Sequence, residues 1–202
     1  MGEGRHGGMT PTLFSRLIDG SLAAIASLRS LEPAVARASR LMADALAAGG
    51  KILACGNGGS AAESGHLTTE LLCRLVKDRR SLPAVNLSGD SGFLTATAND
   101  YSFNEVFARQ VTGLGQPGDV LVAFTTSGNS PNVLRALEAA REKGLFSIAL
   151  LGRDGGKAAA LADLALTVPA AETMHIQEGH QVLLHILCAQ VEDILFPGLG
   201  LG

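Results

Sequence analysis

The chain has 202 residues, 47% of them hydrophobic and 17% charged, which is typical of one globular domain with a sizeable buried core. A net charge of −3 and an aromatic content of 4% argue against nucleic-acid binding, since there is neither a basic footprint nor a stacking platform. The sequence contains no apolar run as long as the roughly 18 residues of a membrane span, and its N-terminus lacks the apolar stretch of a signal peptide. Three dispersed cysteines, none in CxxC spacing, indicate core thiols in a reducing cytoplasm.

The N-terminal part of the chain is predicted to be helical. Residues 1–10 are Gly-rich and are expected to be disordered. Apolar residues at three- and four-residue spacing predict a helix over Pro11–Ser30 and a second over Glu32–Ala48, which Gly49 and Gly50 would end. Because this helical hairpin (residues 11–49) precedes every strand, we expect it to pack against a partner chain.

From Lys51 onward, strands and helices alternate. Strands are predicted at Ile52–Cys55, Ala84–Leu87, Val120–Phe124, Ser147–Leu151 and Leu164–Val168. Helices are predicted at Ser60–Val76, Phe103–Gly113, Pro131–Lys143, Gly155–Ala162 and His175–Phe196. This alternation predicts an α/β domain built on a doubly wound parallel sheet, with residues 11–197 as one domain, 51–196 as its core and 198–202 as a tail. Ligands of such sheets bind beyond the carboxyl ends of the strands.

A Gly-rich turn, Asn57-Gly58-Gly59, follows the first predicted strand. Ser60 then occupies the expected N-cap position, and Glu63 three residues later completes a capping box. The turn and the helix N-terminus together favour an anionic group. The looser dinucleotide fingerprint GxGxxA also fits here, but Asp78 and Asp90 do not supply the ribose-binding acid at the right place, so that interpretation is disfavoured.

A second polar loop, Thr125–Ser130, follows the third predicted strand and opens a helix with Pro131 at its first position. Its hydroxyls and free backbone amides suit a phosphate, and the absence of lysine excludes a Walker A loop. The alternative is a Ser/Thr-rich turn that only caps a helix. Asn99 and Asp100, which lie between two strands, either form a turn or reach the same ligand.

The helix after the first Gly-rich turn carries His66 and Glu70 at i and i+4, about 6 Å apart along one face. Such a pair can bind a metal or move a proton, although a solvated surface pair has the same spacing. On the last helix, Gln177, Gln181 and His185 form a polar line through apolar neighbours. Such a line needs polar partners, either within the core or at a site.

Five motifs occur in order: GNGGS (56–60), the His66–Glu70 pair, AxxND (96–100), TSGNS (126–130) and IQEGHxxxxH (176–185). Together they resemble the phosphoheptose isomerase family of the sugar isomerase (SIS) fold, over Lys51–Phe196 and the two preceding helices. The chain departs from the family pattern at Thr125, where Ser is frequent, and at Glu172–His175, where Asp, Thr, a small residue or Pro, and then Lys or Arg are frequent.

The resemblance implies a cytoplasmic homotetramer, with sites at or near subunit interfaces, that interconverts sedoheptulose 7-phosphate and D-glycero-D-manno-heptose 7-phosphate through an enediol. This would be the first step towards ADP- or GDP-activated heptose, as for lipopolysaccharide. It implies proton transfer by Glu70 and His185, one zinc ion per subunit held by His66, Glu70, Gln177 and His185, and no organic cofactor. The implied substrate-binding residues are Asn57, Gly58, Gly59, Ser60, Glu70, Arg74, Asn99, Asp100, Thr125, Thr126, Ser127, Ser130 and Gln177.

Two alternatives stay open at this point. One is a non-catalytic SIS relative that binds the bacterial replication initiator, and the other is a different SIS enzyme or sensor for sugar phosphates. The presence of His66, Glu70 and His185 together favours the enzyme.

Helix geometry constrains the implied zinc site. Gln177 and His185 would lie about 12 Å apart along one straight helix, whereas each zinc ligand lies about 2 Å from the ion. We therefore expect either that Gln177 precedes the helix or that the site is shared between subunits.

Overall fold

A computed structural model describes residues 11–76 and 78–198, so the prediction of disorder for residues 1–10 and most of the predicted tail lie outside it. The predicted α/β fold is confirmed: five parallel strands form one sheet in the order β2-β1-β3-β4-β5. The strands are β1 (Ile52–Gly56), β2 (Ala84–Asn86), β3 (Val120–Thr125), β4 (Phe146–Gly152) and β5 (Leu164–Val168). After β1 the next strand is added on one side of it, and the three later strands are added on the other side. The sheet therefore has its topological switch point between β1 and β3, which is where ligands bind in doubly wound folds.

Helices cover both faces of the sheet. They are α1 (Leu13–Ser27), α2 (Glu32–Ala47), α3 (Gly59–Leu72), α4 (Ser91–Asp100), α5 (Ala108–Leu114), α6 (Pro131–Glu142), α7 (Ala158–Leu161) and α8 (Thr173–Leu195). Successive residues of a strand point to opposite faces, so Ile52 and Ala54 pack with α2, α3 and α8, while Leu53 and Cys55 pack with α5, α6 and α7. Because α3 and α8 share a face and contact each other, polar residues on the two helices can meet.

Several predicted boundaries are wrong. The predicted capping box does not form, because α3 already begins at Gly59 after Gly58, whose φ of +58° makes the turn, and Ser60 lies buried inside the helix. The same helix ends at Leu72, one turn before the predicted Val76. The predicted helix over residues 103–113 is divided into a 3₁₀ turn, Phe103–Glu105, and α5.

The first helix has its apolar stripe on the surface of the single chain. The side chains of Phe14 and Leu22 are 74% and 60% exposed, and Ala24 is the buried member of α1. Helices α1 and α2 both pack against α8. The spacing predicts this stripe, and its exposure shows that no other part of the described chain covers it.

The three thiols differ in their surroundings. Cys55 and Cys188 are buried as predicted, and burial raises the pKa of Cys55 to about 12. Cys73 is exposed just after α3, so its assignment to the core was wrong. Among the described residues, no helix is long and apolar enough to cross a bilayer.

Candidate active site

The two polar loops predicted from the sequence meet at one edge of the sheet, because β1 and β3 are neighbours and Gly56 pairs with Phe124. The loops are joined by side chains. The Nδ2 of Asn57 donates to Oδ1 of Asn132, and the Nδ2 of Asn132 donates back to Oδ1 of Asn57, both at 2.8 Å. Asn132 is 2% exposed and lies in the first turn of α6. This reciprocal pair was not predicted, although an Asn directly after Pro131 at a helix start was a usable signal.

The hydroxyls of the Thr125–Ser130 loop converge. The Oγ1 of Thr125 lies 3.2 Å from Oγ of Ser130 and 3.5 Å from Oγ of Ser127. Ser130 is the N-cap residue of α6, and its side chain makes no capping hydrogen bond, which leaves its hydroxyl and nearby amides available to a ligand. The turn itself depends on Gly128, which has a φ of +64° and packs against the backbone of Gly155.

A cavity of about 270 Å³ lies between the two loops. It is lined by Asn57, Gly59, Ser60, Phe124, Thr125, Thr126, Ser130, Thr173 and Gln177. Gln177 reaches this cavity from α8, and its carboxamide lies directly against the α-carbon side of Gly59. The cavity is therefore a hydroxyl- and amide-lined cradle at the start of two helices, a setting that favours an anion such as phosphate.

A second group of polar side chains lies between α3 and α8. His66 Nε2 is 2.9 Å from Oε1 of Glu70 and 3.3 Å from Nε2 of His185. The carboxamide of Gln181 contacts Nδ1 of His66 and lies 3.4 Å from Nε2 of His185. One ligand atom from each of His66, Glu70 and His185 falls within 4.8 Å of the others.

These three residues fit a divalent metal by their donor chemistry and spacing. Ligands about 2.0–2.1 Å from a tetrahedral Zn²⁺ lie roughly 3.3 Å from one another, and the two imidazole nitrogens of His66 and His185 are 3.3 Å apart. Cys188 follows on α8 and is buried, and burial raises the pKa of its thiol.

The expectation that Gln177 precedes the last helix is wrong. Gln177 lies inside an unbroken helix, two turns before His185, and faces the cradle. Gln181, one turn before His185, meets the histidines instead. The i+4 spacing of Gln181 and His185 was the signal that pointed to this contact. Sharing of the site between subunits is the alternative that stays a prediction.

Three other predicted substrate residues lie away from the cradle in the single chain. Asn99 and Asp100 are exposed at the end of α4, where Nδ2 of Asn99 donates to Oδ1 of Asp100 at 2.9 Å. Arg74 is exposed just beyond α3. None of the three lines the cavity, so their predicted contact with substrate requires another subunit or a movement.

A buried pair lies near the cradle and was not predicted as a unit. His180 is fully buried and its Nε2 donates to the carbonyl of Leu151 at the end of β4, at 3.0 Å. Its Nδ1 faces Oε2 of the buried Glu63 at 3.5 Å. The pair links α3, α8 and β4 one turn away from Gln177.

The fold and the two polar groups define a class of protein: the family description "SIS domain" matches residues 18–152. The chain is 52% identical to the phosphoheptose isomerase of Geobacter sulfurreducens and 51% identical to that of Pelobacter propionicus; these matches cover 84% and 83% of this chain and 89% of each relative. Its fold matches the phosphoheptose isomerase structure from Neisseria gonorrhoeae with a TM-score of 0.84 at 43% identity, covering 90% of this chain and 100% of that one. The corresponding structure from Francisella tularensis gives 0.86 at 38% identity, covering 89% and 96%. The chain belongs to the phosphoheptose isomerase family and is an isomerase of the SIS class.

Proposed function

We propose that this protein interconverts sedoheptulose 7-phosphate and D-glycero-D-manno-heptose 7-phosphate through an enediol. The observation that carries the proposal is that the chain holds both polar groups a sugar phosphate needs, a hydroxyl- and amide-lined cradle at Gln177 and a His/Glu cluster at His185. A sugar phosphate needs both, because its phosphate is one end of the molecule and its reacting carbonyl is at the other.

Glu70 is the proposed base that moves the proton between C1 and C2. Its Oε1 faces His66, which leaves the second carboxylate oxygen able to carry the proton. His185 is the proposed partner that moves a proton between the two substrate oxygens. An imidazole and a carboxylate are suited to these roles near neutral pH. The phosphate would be held by Thr125, Ser130 and the amides of their loop.

Zinc is proposed to be held by His66, Glu70 and His185, with the partner subunit's Gln177 as the fourth ligand. A bound zinc would act as a Lewis acid that polarises the substrate carbonyl. Gln181 contacts Nδ1 of His66. With its carboxamide turned so that the oxygen faces Nδ1, Gln181 would accept the Nδ1–H and leave the unprotonated Nε2 facing the cluster, as zinc binding requires.

Assembly as a homotetramer is proposed from the family resemblance, and the exposed apolar surface of α1 supports association between subunits. The stripe on α1 continues into a groove of about 610 Å³ that is lined in part by Leu22, Val182 and Ile186. Val182 lies three residues before His185 on α8, which is about one turn, so a subunit seated on this groove would also lie near the cluster. Contiguous apolar surface of this kind marks association sites. The reaction would take place in the cytoplasm and feed ADP- or GDP-heptose synthesis.

The test of the reaction is turnover of sedoheptulose 7-phosphate by purified protein, followed by NMR of the sugar products. We expect aldoheptose phosphate from the wild type and loss of activity on chelation, with recovery when Zn²⁺ is restored. Glu70→Gln should retain substrate binding and lose turnover by about 10²–10⁴-fold. Substrate binding without turnover in any metal state would contradict the proposal.

Sharing of the site is tested with mixed oligomers. Glu70→Gln and Gln177→Ala subunits, each inactive alone, should recover activity when they are unfolded and refolded together, because some sites then receive an intact residue of each kind. A mixture that stays inactive, although mass spectrometry detects mixed oligomers, would show that one chain supplies both residues.

A further inference from the structure

Arg79 lies beyond the end of α3 and has a side chain that is only 2% exposed. Its guanidinium binds the backbone at the end of that helix: Nη2 donates to the carbonyl of Glu70 at 2.7 Å, and Nη1 donates to the carbonyls of Leu71 at 2.8 Å and Cys73 at 3.1 Å. The last carbonyls of a helix have no partner within the helix and favour a cation. Arg79 therefore acts as a long-range C-terminal cap of α3.

The same guanidinium is tied to α8 through Glu192. Oε1 of Glu192 accepts from Nε of Arg79 at 2.8 Å and from Nη2 at 2.7 Å, and it also accepts the backbone N–H of Leu75 at 3.1 Å. Glu192 lies seven residues after His185, which is about two turns along the same face of α8. Arg79 thus connects the helix that carries Glu70 to the helix that carries His185.

We infer that Arg79, held by Glu192, is a positioning residue for the His66–Glu70–His185 cluster. The inference rests on the proposed function, because it assigns Arg79 to the proton-transfer and metal chemistry of Glu70. Functional groups must be held within about 0.5 Å of their working geometry, and that depends on the residues behind them. Arg79 fixes the backbone of Glu70 itself, so its loss would let the end of α3 move relative to α8.

The chemistry of the contact requires arginine. A guanidinium presents five donors in a rigid fork, which allows Arg79 to bind two backbone carbonyls of α3 and the carboxylate of Glu192 at once. Lysine keeps the charge but offers one nitrogen in place of three, so Arg79→Lys cannot keep the contacts to Glu192 and to the carbonyls of Glu70, Leu71 and Cys73 all together. This substitution therefore keeps the positive charge at position 79 and removes part of the hydrogen bonding that positions α3 against α8.

The test is a titration of the metal-free wild type and Arg79→Lys with Co²⁺, followed by visible absorption, together with steady-state kinetics on the zinc-loaded proteins. We expect Arg79→Lys to bind Co²⁺ about 10–100-fold more weakly, as is typical when groups behind metal ligands are removed. We also expect kcat to fall with KM nearly unchanged, because the phosphate cradle lies at the other end of the site.

Asp119→Asn is the matched control. Asp119 is also buried and ion-paired, with Lys51 at 2.6 Å, but this pair lies before β1 and β3, at the opposite edge of the sheet from the site. It should lower the melting temperature and leave Co²⁺ affinity and kcat unchanged. If Arg79→Lys does not fold, Arg79→Met/Glu192→Met replaces it, since exchanging a buried ion pair for apolar residues is often tolerated.

The outcomes distinguish the two claims. A variant lacking the Arg79 fork that keeps wild-type Co²⁺ affinity and kcat would overturn the positioning role, whatever its melting temperature. A wild type that neither binds Co²⁺ nor turns over sedoheptulose 7-phosphate would overturn the proposed function, and the inference with it.

Discussion

Gly59→Ala should displace the side chain of Gln177 while leaving the stability of the fold nearly unchanged. Gly59 is the first residue of α3, and its φ is not in the left-handed region, so the backbone accepts alanine. An added Cβ would overlap the carboxamide of Gln177, whose carbon would be 2.8 Å away. Carbon atoms pack at about 3.5–4.0 Å, so the carboxamide must move by about 1 Å out of the cradle.

The expected consequence is a loss of activity with little loss of stability. The overlapping atoms are the end of a flexible side chain, and Ala is favoured over Gly within helices, so the free energy of unfolding should change by no more than about 1 kcal/mol. A displacement of about 1 Å in a positioning group can lower kcat/KM by about 10²-fold. The measurements are thermal unfolding and steady-state kinetics on the same preparations.

The control is Gly113→Ala in α5, where an added Cβ meets nothing within 4 Å. It should keep full activity and be equally or slightly more stable. The double variant Gly59→Ala/Gln177→Ala should be no less stable than Gln177→Ala alone, because the clashing group is gone. Wild-type kcat/KM in Gly59→Ala would refute the role assigned to Gln177.

Two further variants test other parts of the structure. Asn132→Leu leaves the amide of Asn57 without its reciprocal partner, so we expect a loss of about 1–3 kcal/mol in unfolding free energy and a higher KM, measured by denaturant titration and kinetics; an unchanged KM would contradict the link between the two loops. Burial alone would raise the pKa of Asp119, but hydrogen bonds from Lys51 and from backbone amides lower it below its ordinary value. A lowered folded-state pKa gives stability that is present above the unfolded-state pKa, about 3.9, and is lost as pH falls through the lower folded-state pKa. Asp119→Asn should therefore lose stability at neutral pH and show a shallower decline below about pH 4 than the wild type; parallel acid profiles would contradict this assignment.

The sheet and the two strand-end loops could be predicted from the sequence because their signals are local. Val120–Phe124 is a short apolar run followed by a hydroxyl-rich loop, and the structure places that run in the fully buried central strand β3. His66 and Glu70 could be paired for the same reason, since i and i+4 residues meet on any helix. Each of these signals lies within a few residues of chain.

The parts that the sequence did not reveal depend on contacts between distant segments. The sequence predicts Glu63 as a capping partner of Ser60, but in the structure its Oε2 faces Nδ1 of the buried His180 at 3.5 Å. Arg79 and Glu192 are 113 residues apart and carry no motif. The i, i+4 spacing of Gln181 and His185 favours Gln181 as the residue of α8 beside His66, whereas the resemblance implied Gln177.

The central claim is that Glu70 moves a proton between C1 and C2, and isomerisation of sedoheptulose 7-phosphate in D₂O tests it most directly. A base that removes the C1 proton exchanges it with solvent during its lifetime on the carboxyl group, so the aldoheptose phosphate should carry deuterium at C2, and Glu70→Gln should abolish both turnover and exchange. A product formed at full rate with only protium at C2, or unimpaired exchange in Glu70→Gln, would contradict the account.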